Sequence, residues 1–124
     1  MEVQRESVTI GIVGTGLIGA SIGLASRAAG CQVVGWDPSA DALATALERG
    51  ALDRCAVSLD SLVDSVDLVV LPAPPSSVES VLRRVLERAG PSVSVTDVTS
   101  TKSHLIGLAR EYPRYVPGHP MAGS

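Results

Sequence analysis

The sequence has little of what marks membrane, secreted or nucleic-acid-binding proteins. No apolar run approaches the roughly 20 residues of a membrane-spanning helix, and the opening MEVQRES is too polar for a signal peptide. No block of like charges occurs, and a formal net charge of −3 favours neither nucleic acid nor an anionic membrane as partner. We therefore expect a cytoplasmic protein that binds neither nucleic acid nor membrane.

Cysteine and histidine are also scarce, with two residues of each. Cys31 and Cys55 lie in apolar surroundings rich in alanine and valine, which favours two reduced, buried thiols over a disulfide. No Cys/His spacing suggests a metal site, so we predict no metal. The 124 residues, 45% of them hydrophobic, suffice for the core of one domain.

Strand patterns alternate with helix patterns along the chain. Apolar runs without alternation predict strands buried on both faces, at residues 8–13, 31–37, 67–74 and 92–98, with short strands within 51–57 and at 115–118. The segments between them predict a buried helix ending at Gly30, a helix over 40–49, a short helix within 58–65, an amphipathic helix from Ser76 and a helix over 99–112.

This order predicts an α/β fold: a Rossmann-type, doubly wound, mostly parallel sheet with helices on both faces. We assign residues 1–6 to a flexible arm and residues 7–124 to a dinucleotide-binding domain.

A glycine motif follows the first predicted strand and opens the first helix. Gly14 would permit the tight turn, Gly16 would let the backbone approach a pyrophosphate, and Gly19 would let the helix pack closely on the sheet. The unpaired N–H groups and positive dipole end of that helix would then face the phosphates. The alternative is a tight turn without a ligand.

Asp37 ends the second predicted strand, 18 positions after Gly19. Its carboxylate could accept hydrogen bonds from the adenosine ribose and would repel a 2′-phosphate, so we predict NAD rather than NADP. The alternative role is a helix cap before Pro38. The predicted cofactor-binding residues are Gly14, Thr15, Gly16, Leu17, Ile18, Gly19, Asp37 and Ala73.

Three loops that leave carboxyl ends of predicted strands carry reactive or unusual residues: PAPPSS, TSTK and GHPMAGS. Ligands on open α/β sheets bind at such ends. The loops contain Lys102, the only lysine of the chain, and His119. His104 falls within a predicted helix and is better explained as a surface or cap residue.

From VTIGIVGTGLIGASIGLA through DLVVLPAP and TDVTSTK to GHPMAGS, the chain resembles the prephenate and arogenate dehydrogenases of tyrosine biosynthesis. The glycine block is common to many dehydrogenases, whereas TDVTSTK followed by HPMAG is much more specific to this family. Thr99, Thr101 and Pro117 depart from the family pattern, in which a small residue, valine and a second glycine are usual.

The resemblance implies NAD-dependent oxidative decarboxylation of prephenate to 4-hydroxyphenylpyruvate. His119 would accept the proton of the substrate hydroxyl, Ser100 would orient that hydroxyl, and Lys102 would support the loop or its electrostatics. The alternatives are an ordinary loop histidine, a helix N-cap serine and a solvated lysine.

The resemblance further implies a small-molecule substrate, prephenate or arogenate, and a homodimeric full-length enzyme. Family members carry a helical domain after the HPMAG loop that helps to bind the substrate carboxylates. We therefore expect this chain to be the nucleotide-binding half and to be inactive alone. The rival functions are another dehydrogenase, such as a 3-hydroxyacid dehydrogenase or an imine reductase, and a stand-alone NAD-binding or redox-sensing module.

Overall fold

The structure, a computed structural model, describes residues 8–72, 75–98 and 111–117 of the chain. Strands and helices alternate through these ranges. In chain order the elements are β1 (Thr9–Val13), α1 (Leu17–Ala28), β2 (Gln32–Trp36), α2 (Ala40–Glu48), β3 (Arg54–Cys55), α3 (Leu59–Asp64), β4 (Leu68–Leu71), α4 (Pro75–Arg88), β5 (Ser94–Asp97) and β6 (Tyr115–Pro117).

The six strands form one sheet in the order β3-β2-β1-β4-β5-β6, and every neighbouring pair is parallel. The predicted Rossmann-type order is therefore confirmed. The chain reverses its direction of travel across the sheet between β1 and β4, and parallel sheets bind ligands in the crevice at the carboxyl ends beside such a reversal.

Helices cover both faces of the sheet, as predicted. On one face α1 and α2 enclose a small core around Ile12, Val33 and Ala46. On the other face α3 and α4 enclose a larger core that includes Leu62 and Leu82. The strands are buried from both sides, which explains why their sequences are continuous apolar runs.

Local capping signals fix the helix ends as the sequence predicts. Ser39 caps α2 by accepting a hydrogen bond from the Ala42 N–H at 3.2 Å, and Gly50, with φ +80°, follows the end of that helix. Ser58 and Ser61 form a capping box at α3. Gly30, with φ +92°, follows α1 in the same way.

The prediction of a buried first helix is wrong. Leu17 and Leu24 are 83% and 47% exposed, and the buried residues of α1 are Gly19 and Gly23. Gly19 packs against the Gly14 carbonyl at the end of β1, and Gly23 packs against the Ala51 carbonyl after α2. The backbone of α1 therefore lies close to its neighbours, Ile22 packs against the small core, and Leu17 and Leu24 are exposed. The nearly uncharged composition of α1 indicates close backbone packing and not a central position.

Other differences are small. Cys31 and Cys55 are free, as predicted, but half-buried rather than buried. The predictions for residues 1–6 and almost all of the predicted helix over 99–112 lie outside the described residues. None of the helices in the described ranges is both long and apolar enough to span a bilayer.

We predict that Gly23→Ala destabilises the domain. A Cβ at Gly23 would collide with the Ala51 carbonyl oxygen, because α1 packs its backbone against that turn. Overpacking costs about 1–3 kcal/mol, whereas the gain in helix propensity is only about 0.5–1 kcal/mol. Chemical denaturation measures the loss. Gly90→Ala is the control because a Cβ there meets no atom within 4 Å in the part of the chain that the structure describes; equal stability of both variants would contradict the prediction.

Candidate nucleotide-binding site

Two glycines of the motif, Gly14 in the loop between β1 and α1 and Gly19 in the first turn of α1, are required by the protein itself. Gly14 has φ +107°, a conformation that strains any other residue, and its N–H donates to the Trp36 carbonyl at 2.8 Å. A Cβ on Gly19 would collide with the Gly14 carbonyl oxygen. The loop is therefore held against the ends of β1 and β2.

Gly16 is different, because neither its backbone nor its surroundings require glycine. Its φ of −71° and ψ of −163° are open to any residue, and a Cβ there would meet no described residue within 4 Å. The missing side chain leaves open space in front of the loop. Such space at the second glycine of this motif is what a pyrophosphate needs in order to approach the backbone.

The start of α1 offers hydrogen-bond donors toward this space. The first helical bond runs from the Ala20 N–H to the Gly16 carbonyl at 2.8 Å, so the N–H groups of Leu17, Ile18 and Gly19 have no partner within the helix. Gly16 supplies no side-chain cap, and the first turn carries no acid. The positive end of the helix dipole therefore faces the space, and no acid in the first turn of α1 neutralises it. This arrangement favours binding of an anion.

Asp37 lies beside this loop, directly after β2. Its Oδ2 accepts hydrogen bonds from the Thr15 N–H at 2.7 Å and from the Thr15 Oγ1 hydroxyl at 3.1 Å. Its Oδ1 accepts one from the Ser39 N–H at 2.8 Å. Because Ser39 and not Asp37 caps α2, the helix-cap explanation of Asp37 is wrong.

The residues after Asp37 offer no cation to a phosphate at this position. Residues 38–48 contain no arginine or lysine. Arg49 lines a groove of about 350 Å³ between α1 and α2 that also includes Thr15. It lies at the far end of α2, about 13 Å along the helix axis from the Asp37 side.

Side-chain hydrogen bonds join β5 and β6 at the same edge of the sheet. Asp97 is fully buried at the end of β5, and the Tyr115 hydroxyl donates to its Oδ1 at 2.7 Å. Thr96 Oγ1 donates to the Val116 carbonyl at 2.7 Å. Burial, then the hydrogen bond to Asp97 and its charge, raise the pKa of Tyr115 above its ordinary value.

The structure brings together seven of the predicted site residues at one edge of the sheet: Gly14, Thr15, Gly16, Leu17, Ile18, Gly19 and Asp37. Ala73, Ser100, Lys102 and His119 lie outside the described residues. Sequence reasoning missed the Thr15 hydroxyl as a partner of Asp37. It also missed the Asp97–Tyr115 pair, for which a lone acid in the strand pattern SVSVTDV was the available signal.

This sheet order and glycine loop define a nucleotide-binding domain of the Rossmann type. The chain belongs to the prephenate dehydrogenase family: residues 22–124 match the family model of the prephenate dehydrogenase nucleotide-binding domain. That match begins inside α1, after the glycine loop, so it depends on the later and more specific part of the chain.

Individual relatives agree. The chain is 35% identical, over 90% of its length, to probable prephenate dehydrogenase NovF of Streptomyces niveus. It is 26% identical to prephenate dehydrogenase from Aquifex aeolicus, solved with hydroxyphenyl propionate and NAD+ (TM-score 0.84, 98% of this chain), and 28% identical to Synechocystis arogenate dehydrogenase (TM-score 0.82, 90% of this chain). The chain spans 30%, 44% and 40% of these proteins, respectively.

We predict that the Tyr115–Asp97 pair makes the domain sensitive to alkali. The pKa of Tyr115 is raised in the folded state, so above pH ~10, the ordinary tyrosine value, the unfolded chain loses a proton that the folded chain keeps. The stability from this group is complete below that pH and falls as the pH rises. Denaturation at a series of pH values measures it.

Tyr115→Phe should lower stability at neutral pH by about 1–3 kcal/mol, because the buried carboxylate loses a donor, and should flatten the alkaline decline. Tyr112→Phe is the matched control, since it removes the only other tyrosine of the chain and leaves the pair intact. Identical alkaline slopes for the two variants would show that the pair does not behave as described.

Proposed function

We propose that this domain binds NAD and is the nucleotide-binding part of an enzyme that oxidatively decarboxylates prephenate to 4-hydroxyphenylpyruvate. The observation that carries the proposal is Gly16, whose missing side chain leaves room that no described residue requires. Helix N–H donors and the Asp37 carboxylate border that room. Family membership and the NAD+ in the Aquifex relative support it.

In this proposal the start of α1 holds the pyrophosphate, and Asp37 accepts a ribose hydroxyl on the remaining lone pair of Oδ1. NAD is preferred because a 2′-phosphate would place its charge beside this carboxylate with no cation within residues 38–48. The exposed side chains of Leu17 and Ile18 flank the cofactor. Ala73 completes the set of cofactor-binding residues.

The bound dinucleotide supplies a hydride acceptor for the ring carbon that bears the substrate hydroxyl. His119, as a neutral imidazole, accepts the proton of that hydroxyl, and Ser100 orients the same group. Loss of carbon dioxide then leaves an aromatic ring, so the residues need only position the substrate and hold the proton. Lys102 supports the TSTK loop, which also contains Ser100.

The ends of β5 and β6 support this placement. The two strands are adjacent and are joined by Tyr115 and Asp97. Ser100 follows Asp97 by three residues and His119 follows Pro117 by two. These short chain separations support the proposal that both residues act at the carboxyl edge, where the crevice of a parallel sheet lies.

Arogenate is the second candidate substrate, and the likeness to the Synechocystis enzyme favours considering it. The two substrates differ in a keto or amino group that is remote from the hydroxyl handled by His119. A homodimeric complete enzyme, a cytoplasmic location and a pathway role in tyrosine biosynthesis belong to the same proposal. A stand-alone NAD-binding or redox-sensing module would need Asp37 and the glycines but not His119.

We predict that nucleotide titration of this chain shows tighter binding of NAD than of NADP. Trp36, the only tryptophan, directly precedes Asp37, so we expect its fluorescence to change when the nucleotide binds. Gly16→Ala should weaken NAD binding at least about tenfold, since a Cβ fills the pyrophosphate position, and should leave the melting temperature unchanged. Tighter binding of NADP, or normal NAD binding by Gly16→Ala, would refute the assigned site.

We predict that His119→Asn in the complete gene product lowers kcat with prephenate by about 10²–10⁴-fold, the usual contribution of a general base. NAD affinity should stay nearly unchanged because, in this proposal, His119 acts on the substrate hydroxyl and holds neither the pyrophosphate nor the adenosine ribose. Steady-state kinetics and the Trp36 titration measure the two quantities, with His104→Asn as the matched control. Near-normal turnover of the variant would remove His119 from the mechanism, whereas absence of turnover in the wild-type gene product would favour the binding module.

A further inference from the structure

We propose that Thr15 is a positioning residue for Asp37, and that its hydroxyl sets the selectivity of this domain for NAD over NADP. The inference rests on the proposed function, because it assumes that Asp37 faces the adenosine ribose. It assigns a distinct task to a side chain that the motif itself leaves unspecified, since the position between the first two glycines carries no fixed residue.

Two donors from the same residue hold one carboxylate oxygen. The Thr15 N–H and the Thr15 Oγ1 hydroxyl both donate to Asp37 Oδ2, at 2.7 and 3.1 Å. The Ser39 N–H donates to the other oxygen at 2.8 Å. Thr15 is only 5% exposed, so its hydroxyl competes little with water for this bond. Three donors from two sides therefore define the carboxylate plane.

The hydroxyl matters because the terminal torsion of an aspartate is broad. Without the Thr15 hydroxyl, each carboxylate oxygen would keep only one backbone donor, Thr15 N–H on Oδ2 and Ser39 N–H on Oδ1, and the group would turn more easily. With the second bond from Thr15, Oδ2 is fully engaged and Oδ1 keeps one acceptor position. The incoming ribose hydroxyl then meets a fixed acceptor, and a 2′-phosphate meets a negative charge that cannot turn away.

The opposite effect is also physically possible. The Thr15 hydroxyl could compete with a ribose hydroxyl for the carboxylate, in which case its removal would tighten NAD binding. The geometry favours a role in which the Thr15 hydroxyl aids NAD binding. Both Thr15 donors bond to Asp37 Oδ2, whereas Oδ1 on the other side of the carboxylate can still accept a hydrogen bond. The sign of the change in NAD affinity separates the two.

The test is Trp36 fluorescence titration of the purified chain with NAD and with NADP. Thr15→Val keeps the shape of the side chain and removes the hydroxyl. It should lower the affinity for NAD about tenfold and the affinity for NADP distinctly less, so that the ratio of the two affinities falls. Thr15→Ser, which keeps a hydroxyl, should restore NAD affinity to within about threefold of wild type. Thr15→Ala repeats the measurement if the valine variant does not fold.

Thr9→Val is the matched control, because Thr9 begins β1 at the amino edge of the sheet, away from the glycine loop, and should change neither affinity. A double-mutant cycle with Asp37→Ala isolates the coupling. In the Asp37→Ala background, Thr15→Val should have no further effect on NAD affinity. Melting temperatures of all variants separate a loss of stability from a loss of positioning.

Three results would overturn the inference. They are wild-type NAD affinity in Thr15→Val, tighter NAD binding in that variant, and a loss that persists in full without Asp37. Each leaves the proposed function standing, because the wild-type chain would still bind NAD at the loop. Failure of the wild-type chain to bind NAD would instead overturn the proposed function and this inference together.

Discussion

The approach of the Gly19 backbone to the Gly14 carbonyl oxygen is the contact on which the site depends. No side chain fits between them, so the start of α1 is held against the end of β1. This places the unpaired N–H groups of the first helical turn at the carboxyl edge of the sheet. The open space at Gly16 and the neighbouring Asp37 carboxylate can serve a nucleotide only because α1 is held in that position.

The two ends of the crevice are built by different means. On the β2 side, backbone and side-chain donors of Thr15 and Ser39 surround a carboxylate that stays partly open to solvent. On the β6 side, the carboxylate of Asp97 is fully buried and bonded by the Tyr115 hydroxyl. Burying a charge is costly unless it is hydrogen-bonded. The pair joins the two strands that lead into the TSTK and HPMAG segments.

Sequence reasoning succeeded where the signal is local. Continuous apolar runs identified the buried strands, and the helices predicted over 40–49 and within 58–65 begin after the Ser39 and Ser58 caps, which act within three residues. It failed for α1, where apolar composition suggested burial. Gly19 and Gly23 bring the helix backbone against the end of β1 and the turn after α2, and Leu17 and Leu24 are left exposed. Composition alone does not tell which side of a helix approaches its neighbour.

The sequence by itself determined the order of elements, the glycine turn and the acid that follows the second strand, because each depends on residues close together in the chain. Tertiary structure alone decided that Thr15 holds Asp37 across 22 positions and that Tyr115 reaches Asp97 across 18. Such bonds exist only after the sheet has brought distant strand ends side by side. No local pattern encodes that distance.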